Sequence, residues 1–86
     1  MTIYLVEYTP AAARQIRKLN KTIQARLKSK IAMLSENPRP HGSKKLKGLE
    51  NSYRIRVGDY RVIYKIHDDV LLVIIMKVGP RRNIYD

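Results

Sequence analysis

Arg54, Arg56, Arg61 and Lys65 sit in two short alternating segments separated by Gly58-Asp59. Guanidinium groups present planar donor forks that match phosphate oxygens, so clustered arginines are the residues of a phosphate-binding surface. Ser52 to Val57 puts Tyr53, Ile55 and Val57 on one face and Arg54 and Arg56 on the other, and Tyr60 to Ile66 alternates in the same way. Gly58-Asp59 is a two-residue hairpin signal of the Gly-first kind. That turn sets Val57 opposite Tyr60, Arg56 opposite Arg61 and Ile55 opposite Val62. Directly opposed residues have Cβ atoms about 4.5–5.5 Å apart, where like charges destabilise a sheet. Two unit charges about 4 Å apart cost roughly 1 kcal/mol even in water. Folding gains nothing from the arrangement, and an arriving anion relieves it. The alternative is that the side chains splay into water or meet acidic neighbours, of which the chain has seven against eighteen Lys and Arg.

Further candidates flank this hairpin. Lys44-Lys45-Leu46-Lys47-Gly48 is a basic stretch leading into it, which adds Lys45 and Lys47 as nucleic-acid contacts. Arg81 and Arg82 follow the end of a long apolar strand that should return them to the same sheet face. Tyr85 close behind them suits stacking on a base, a contact of about 1–3 kcal/mol, or it caps the edge of the core. With no cysteine, thiolate zinc sites and disulfides are out of reach. His41 and His67, in predicted loops, are set aside as bystanders, and neither a metal nor a cofactor is expected.

The elements that must position these residues follow from a chain of 86 residues, enough for one domain, 1–86, with one core. Ile3 to Tyr8 reads as a short strand, and Thr9-Pro10 as a helix start with Thr9 capping and Pro10 in the first helical position. Ala12, Ile16 and Leu19 form one apolar stripe; Ile23, Leu27, Ile31 and Leu34 form a second after a break near Asn20-Lys21, and Asn37-Pro38 stops it. Two alternating strands follow, then Val70 to Val78, apolar at nearly every position, as in a central strand covered on both faces. The expected fold class is α+β: a small, mainly antiparallel sheet of about four strands, in the order βααβββ, packed on a helical hairpin.

Charge is placed as unevenly as the arginines suggest. Residues 14 to 61 hold fourteen Lys and Arg against three acids, which accounts for the whole net charge of +11. A field so concentrated attracts polyanions: nucleic acid, ribosomal RNA or an acidic protein. The longest apolar run, Val70 to Met76, is seven residues, far short of the roughly 18 of a membrane span. Met1 to Tyr4 shows no positive region ahead of an apolar stretch, so no secretory signal is read and the expected location is the cytoplasm.

The runs Leu46-Lys47-Gly48-Leu49, Tyr53-Arg54-Ile55-Arg56-Val57-Gly58-Asp59-Tyr60-Arg61-Val62-Ile63-Tyr64 and Val78-Gly79-Pro80-Arg81-Arg82-Asn83-Ile84-Tyr85 resemble the RelE/ParE toxins of type II toxin–antitoxin systems, most closely the RelE branch. The resemblance covers nearly the whole chain. It implies a ribosome-dependent endoribonuclease that cuts messenger RNA in the ribosomal A site without a metal, through attack of the 2′-hydroxyl on the adjacent phosphate. It also implies site roles. Arg61, Arg81, Arg56 and Tyr85 are the catalytic candidates, with Arg54, Lys47, Lys45, Lys65 and Arg82 as RNA contacts. The family's basic positions at 54 and 56, often lysine, are both arginine here, and arginine is a poor proton acceptor. Proton removal is left to Tyr85, Lys47, Lys65 or a ribosomal group. Many relatives carry a histidine where this chain has Pro80. The implied partner is an acidic RelB-like antitoxin, with operator DNA bound only through it. The rival readings are a ParE-like inhibitor of DNA gyrase and a non-catalytic RNA- or ribosome-binding relative.

Overall fold

Both helices begin where a side-chain oxygen can satisfy their first free amides. In the structure, a computed structural model that describes residues 2–80, the Ala12 N–H donates to the Thr9 hydroxyl at 3.1 Å. The Ile23 N–H donates to the Asn20 amide oxygen at 2.9 Å. These caps open α1, Pro10–Arg17, and α2, Lys21–Ala32. A single 3-10 turn, Met33–Ser35, carries α2 on before Asn37-Pro38 ends it.

The strands are β1 Leu5–Tyr8, β2 Lys44–Lys45, β3 Ser52–Val57, β4 Tyr60–His67 and β5 Leu72–Pro80, in the sheet order β1-β5-β4-β3-β2. β1 runs parallel to β5 and the other neighbours are antiparallel. The α+β class and the helical hairpin are as expected, with β2 as an added fifth strand. Lys44-Lys45 has no strand-like alternation. Its pairing follows from the turn at Gly48 (φ +76°) and Asn51 (φ +60°), which folds the chain back beside β3. β1 starts at Leu5 rather than Ile3 because the Tyr4 N–H donates instead to the Ser35 carbonyl at 2.8 Å. β5 starts at Leu72 rather than Val70 because Leu71, at φ +54°, still belongs to the turn.

Ala12 and Ile16 of α1, Leu27 and Ile31 of α2 and Leu34 pack on Ile55, Val57, Val62, Tyr64, Ile66, Val73, Ile75 and Val78. The helices therefore cover one sheet face only. This corrects the expectation that β5 is covered on both: its other face carries a small cluster in which Met76 packs on Leu46 and Ile63, while Lys77 is exposed. A register shift beside Ile63/Tyr64 gives β5 one extra residue, so Val62 faces Val78 in the core and Arg61 faces Gly79.

One polar clasp ties the loop after α2 to the sheet. The Arg39 guanidinium donates to both Asp68 oxygens, at 3.2 and 2.7 Å, and to the Tyr53 hydroxyl at 3.1 Å. The Tyr4 hydroxyl donates to the same Asp68 carboxylate, and the Tyr64 hydroxyl donates to the Pro38 carbonyl at 2.7 Å.

Candidate nucleic-acid interface

The hairpin has the register its turn residues predict: Val57 pairs with Tyr60, Arg56 with Arg61 and Ile55 with Val62. Gly58 supplies the positive φ, +60°, that a Gly-first turn requires. Because alternate residues point to opposite faces, Arg54, Arg56, Arg61 and Lys65 leave the sheet on the side away from the helices. Arg56, Arg61 and Gly79 form one cross-strand row. The glycine contributes no side chain to that row. The next row runs Lys44, Arg54, Ile63, Lys77 and sets a second like-charged pair, Lys44 and Arg54, opposite each other.

Exposure separates these cations. Arg56 is exposed, Arg61 and Lys65 are half-buried, and Arg54 keeps only 5% of its surface. The expectation that Arg54 projects freely is corrected: it is buried, with Lys44 and Ile63 as its cross-strand neighbours and Pro40, His41 and Gly42 lining the same cleft. Lys44, which sequence reasoning passed over, shares the Arg54 face. Lys45 pairs with Tyr53, whose ring packs against the core, and so belongs to the opposite face. Lys47 is exposed in the turn after β2, next to the anchored Leu46. Arg81, Arg82 and Tyr85 lie outside the described residues.

Among the described residues, the acids in the turns around this hairpin are Glu50, Asp59, Asp68 and Asp69. Arg39 and Tyr4 hold the Asp68 carboxylate, and the Arg39 bonds, followed by the Tyr4 bond, pull its pKa down to about 2. Bonding to Asp68 and Tyr53 raises that of Arg39 in turn. Asp59 and Glu50 are exposed in the turns on either side of β3. Burial pushes the Tyr64 hydroxyl up to about 12, so it stays protonated, consistent with its donating to Pro38. Among the described residues, no three His, Asp or Glu side chains gather in a metal-ligand group.

His41, set aside in the sequence, stands in the wall of a cleft that also contains Arg54 and Arg56. No local signal marks it, since its position depends on the clasp at Arg39 and Asp68.

Residues 6–85 match the family model described as ParE toxin of type II toxin-antitoxin system, parDE. The mRNA interferase toxin RelE of Escherichia coli K12 is 31% identical over 93% of this chain and 85% of its own length. Toxin RelG of Mycobacterium tuberculosis is 32% identical over 95% of each chain. The archaeal RelE–RelB complex from Pyrococcus horikoshii contains a chain with a TM-score of 0.83 at 30% identity, covering 98% of this chain and all of that one. A mutant of E. coli RelE with two arginines replaced by alanine, solved in the free state, gives 0.80 at 29% identity, over 94% and 86%.

Proposed function

The chain belongs to the RelE-type toxins of type II toxin–antitoxin systems, and from that membership and its arginine face we propose that it cleaves messenger RNA in the ribosomal A site. The observation that carries this reading is the Arg56–Arg61 pair, set opposite each other on the sheet face away from α1 and α2 with Gly79 beside them. Like charges set directly opposite cost stability on their own, and paired guanidinium forks fit a phosphate.

Cleavage proceeds without a metal. The RNA 2′-oxygen bonds to the adjacent phosphorus, the bond to the 5′-oxygen breaks, and a proton passes from the 2′-hydroxyl to an acceptor while another reaches the 5′-oxygen. Arg61 and Arg56 hold the phosphate and offset the extra charge of the pentavalent transition state, the role preorganised cations take in such reactions. Arg81 stands by the leaving oxygen, Tyr85 stacks on or orients the base, and Arg54, Lys47, Lys65 and Arg82 guide the strand. Arginine keeps its proton, so the acceptor is Lys47, Lys65, Tyr85 or a ribosomal group. A substrate held on ribosomes puts the toxin in the cytoplasm.

Its partner is an antitoxin of the RelB type, as in the solved RelE–RelB complexes. An acidic antitoxin that covers Arg81 and Tyr85 would silence the site, and operator DNA would be reached only through it. Co-expression should then relieve growth inhibition.

Mapping RNA ends on programmed ribosomes, with free RNA as control, tests the substrate. Arg61→Ala and Arg81→Ala should each abolish cleavage with thermal unfolding nearly unchanged; full activity in either variant removes these assignments. The ParE description of the matching family model favours a second reading, inhibition of DNA gyrase. Loss of supercoiling with intact messages would select it.

A further inference from the structure

Among the described residues, β2 covers the outer edge of β3 only at Tyr53 and Arg54, which leaves that edge without a strand neighbour from Ile55 onward. The end of α2 and the Pro40–Gly42 loop lean over that edge and leave a cleft of about 450 Å³. Its walls bring Lys30 from α2, Met33 from the 3-10 turn and His41 from the loop against Arg54 and Arg56 of β3, with no carboxylate among the described lining residues. The loop is not free to swing away. Arg39 is bonded to Asp68 and Tyr53 and stacks on the Tyr53 ring with its guanidinium carbon 5.1 Å from the centroid, and Tyr64 holds the Pro38 carbonyl.

Two further features give the cleft a direction. The Leu46 N–H donates to the Ser52 carbonyl, which fixes the side of β3 toward which Ser52, Arg54 and Arg56 turn their backbone groups. The Arg56 amide therefore faces the open edge beside the cleft, beyond the last residue of β2. One helical turn before Lys30, a terminal Arg26 nitrogen lies 3.2 Å from where a Cβ on Gly58 would stand. Cations thus run from the hairpin tip along α2 to the cleft, and Arg54 and Arg56 belong to both the cleft and the arginine face.

We propose that this cleft is an RNA subsite that holds the nucleotide next to the scissile one. The flanking phosphate lies between Lys30 and Arg56, and the sugar and base lie against Met33 and His41. This rests on the RNA-cleaving reading and extends it to residues outside the predicted site. Backbone phosphates succeed one another along a strand, so a strand whose scissile phosphate lies on Arg56 and Arg61 must present its neighbour to an adjoining cation. An exposed methionine, 60% accessible, gives the base an apolar surface that a bare phosphate site would not need.

The test is fluorescence anisotropy of the full chain with a short labelled RNA whose 2′-oxygens are methylated, so that it binds without being cut. Lys30→Gln should weaken binding about three- to tenfold and lower the salt slope by about one. His41→Ala should weaken it about five- to tenfold, the lower end of a lost stacking contact. Lys28→Gln, on the same helix with the same charge loss but outside the cleft, should change it less than about twofold. Equal losses at Lys28 and Lys30 would mean that only net charge matters and would overturn the proposal. Unchanged binding in Lys30→Gln and His41→Ala would overturn it too, and if those variants instead lose affinity for the antitoxin, the cleft is a protein-docking surface. Wild-type cleavage on ribosomes, measured alongside, separates the two levels. Cutting with unchanged variant binding removes the subsite alone, whereas neither cutting nor binding removes the nuclease reading and the subsite with it.

Discussion

Arg54 and Arg56 are two residues apart on one strand face, yet they stand in opposite energetic positions. Arg56 is exposed and directly opposite Arg61, so replacing it removes a repulsion and little packing. Arg54 has 5% of its surface left, and its aliphatic stem fills space between Lys44 and Ile63. Truncating a buried arginine sacrifices packing as well as charge. Arg56→Gln should therefore leave unfolding free energy unchanged or raise it by up to about 1 kcal/mol while lowering cleavage at least about tenfold. Arg54→Ala should lower stability by about 1–3 kcal/mol, so any activity it loses is partly a folding loss. Denaturant titration of both variants checks this. If Arg56→Gln is the more destabilised of the two, the exposed pair is a structural contact and not a phosphate site.

At the scale of elements, the Arg39–Asp68 clasp joins the loop after α2, the N-terminal segment and the turn before β5. The Asp68 carboxyl, near 2 in the fold against 3.8 for the free side chain, takes up its proton less readily when folded. Its contribution to stability is complete above the free value and fades as pH falls from about 4 to about 2. Thermal midpoints of the native chain should drop through that window, and Asp68→Asn should flatten this part of the profile; an unchanged slope in the variant would mean that other carboxyls govern it. How these elements form was legible in part. Thr9, Asn20 and Gly58-Asp59 are local signals, and they foretold both helix starts and the hairpin register that pairs Arg56 with Arg61. β2 was not legible, because Lys44-Lys45 becomes a strand only when the turn through Gly48 and Asn51 lays it beside β3. The same holds for Arg54 and His41. Both line a cleft, one wall of which is a loop set by contacts to Asp68, Tyr53 and Tyr64, remote in sequence.

Across the whole molecule, a net charge of +11 produces two effects that salt alone confuses. General self-repulsion destabilises any compact state so charged, and every salt relieves it in proportion to ionic strength. A built phosphate site adds something different, because an anion that binds the folded chain stabilises it by mass action, on top of the screening common to all salts. The arginine row is where the two diverge. At matched ionic strength, phosphate should raise the thermal midpoint of the native chain above the value reached in chloride, and Arg56→Gln should lose much of that difference while keeping the rise common to both salts. Lys28→Gln, which removes one charge from the helical side, should retain the phosphate increment in full. Identical midpoints in phosphate and chloride for the native chain would reduce its basic surface to a diffuse field. The opposed guanidinium groups on β3 and β4 would then need a larger polyanion, held at several points at once, to be occupied at all.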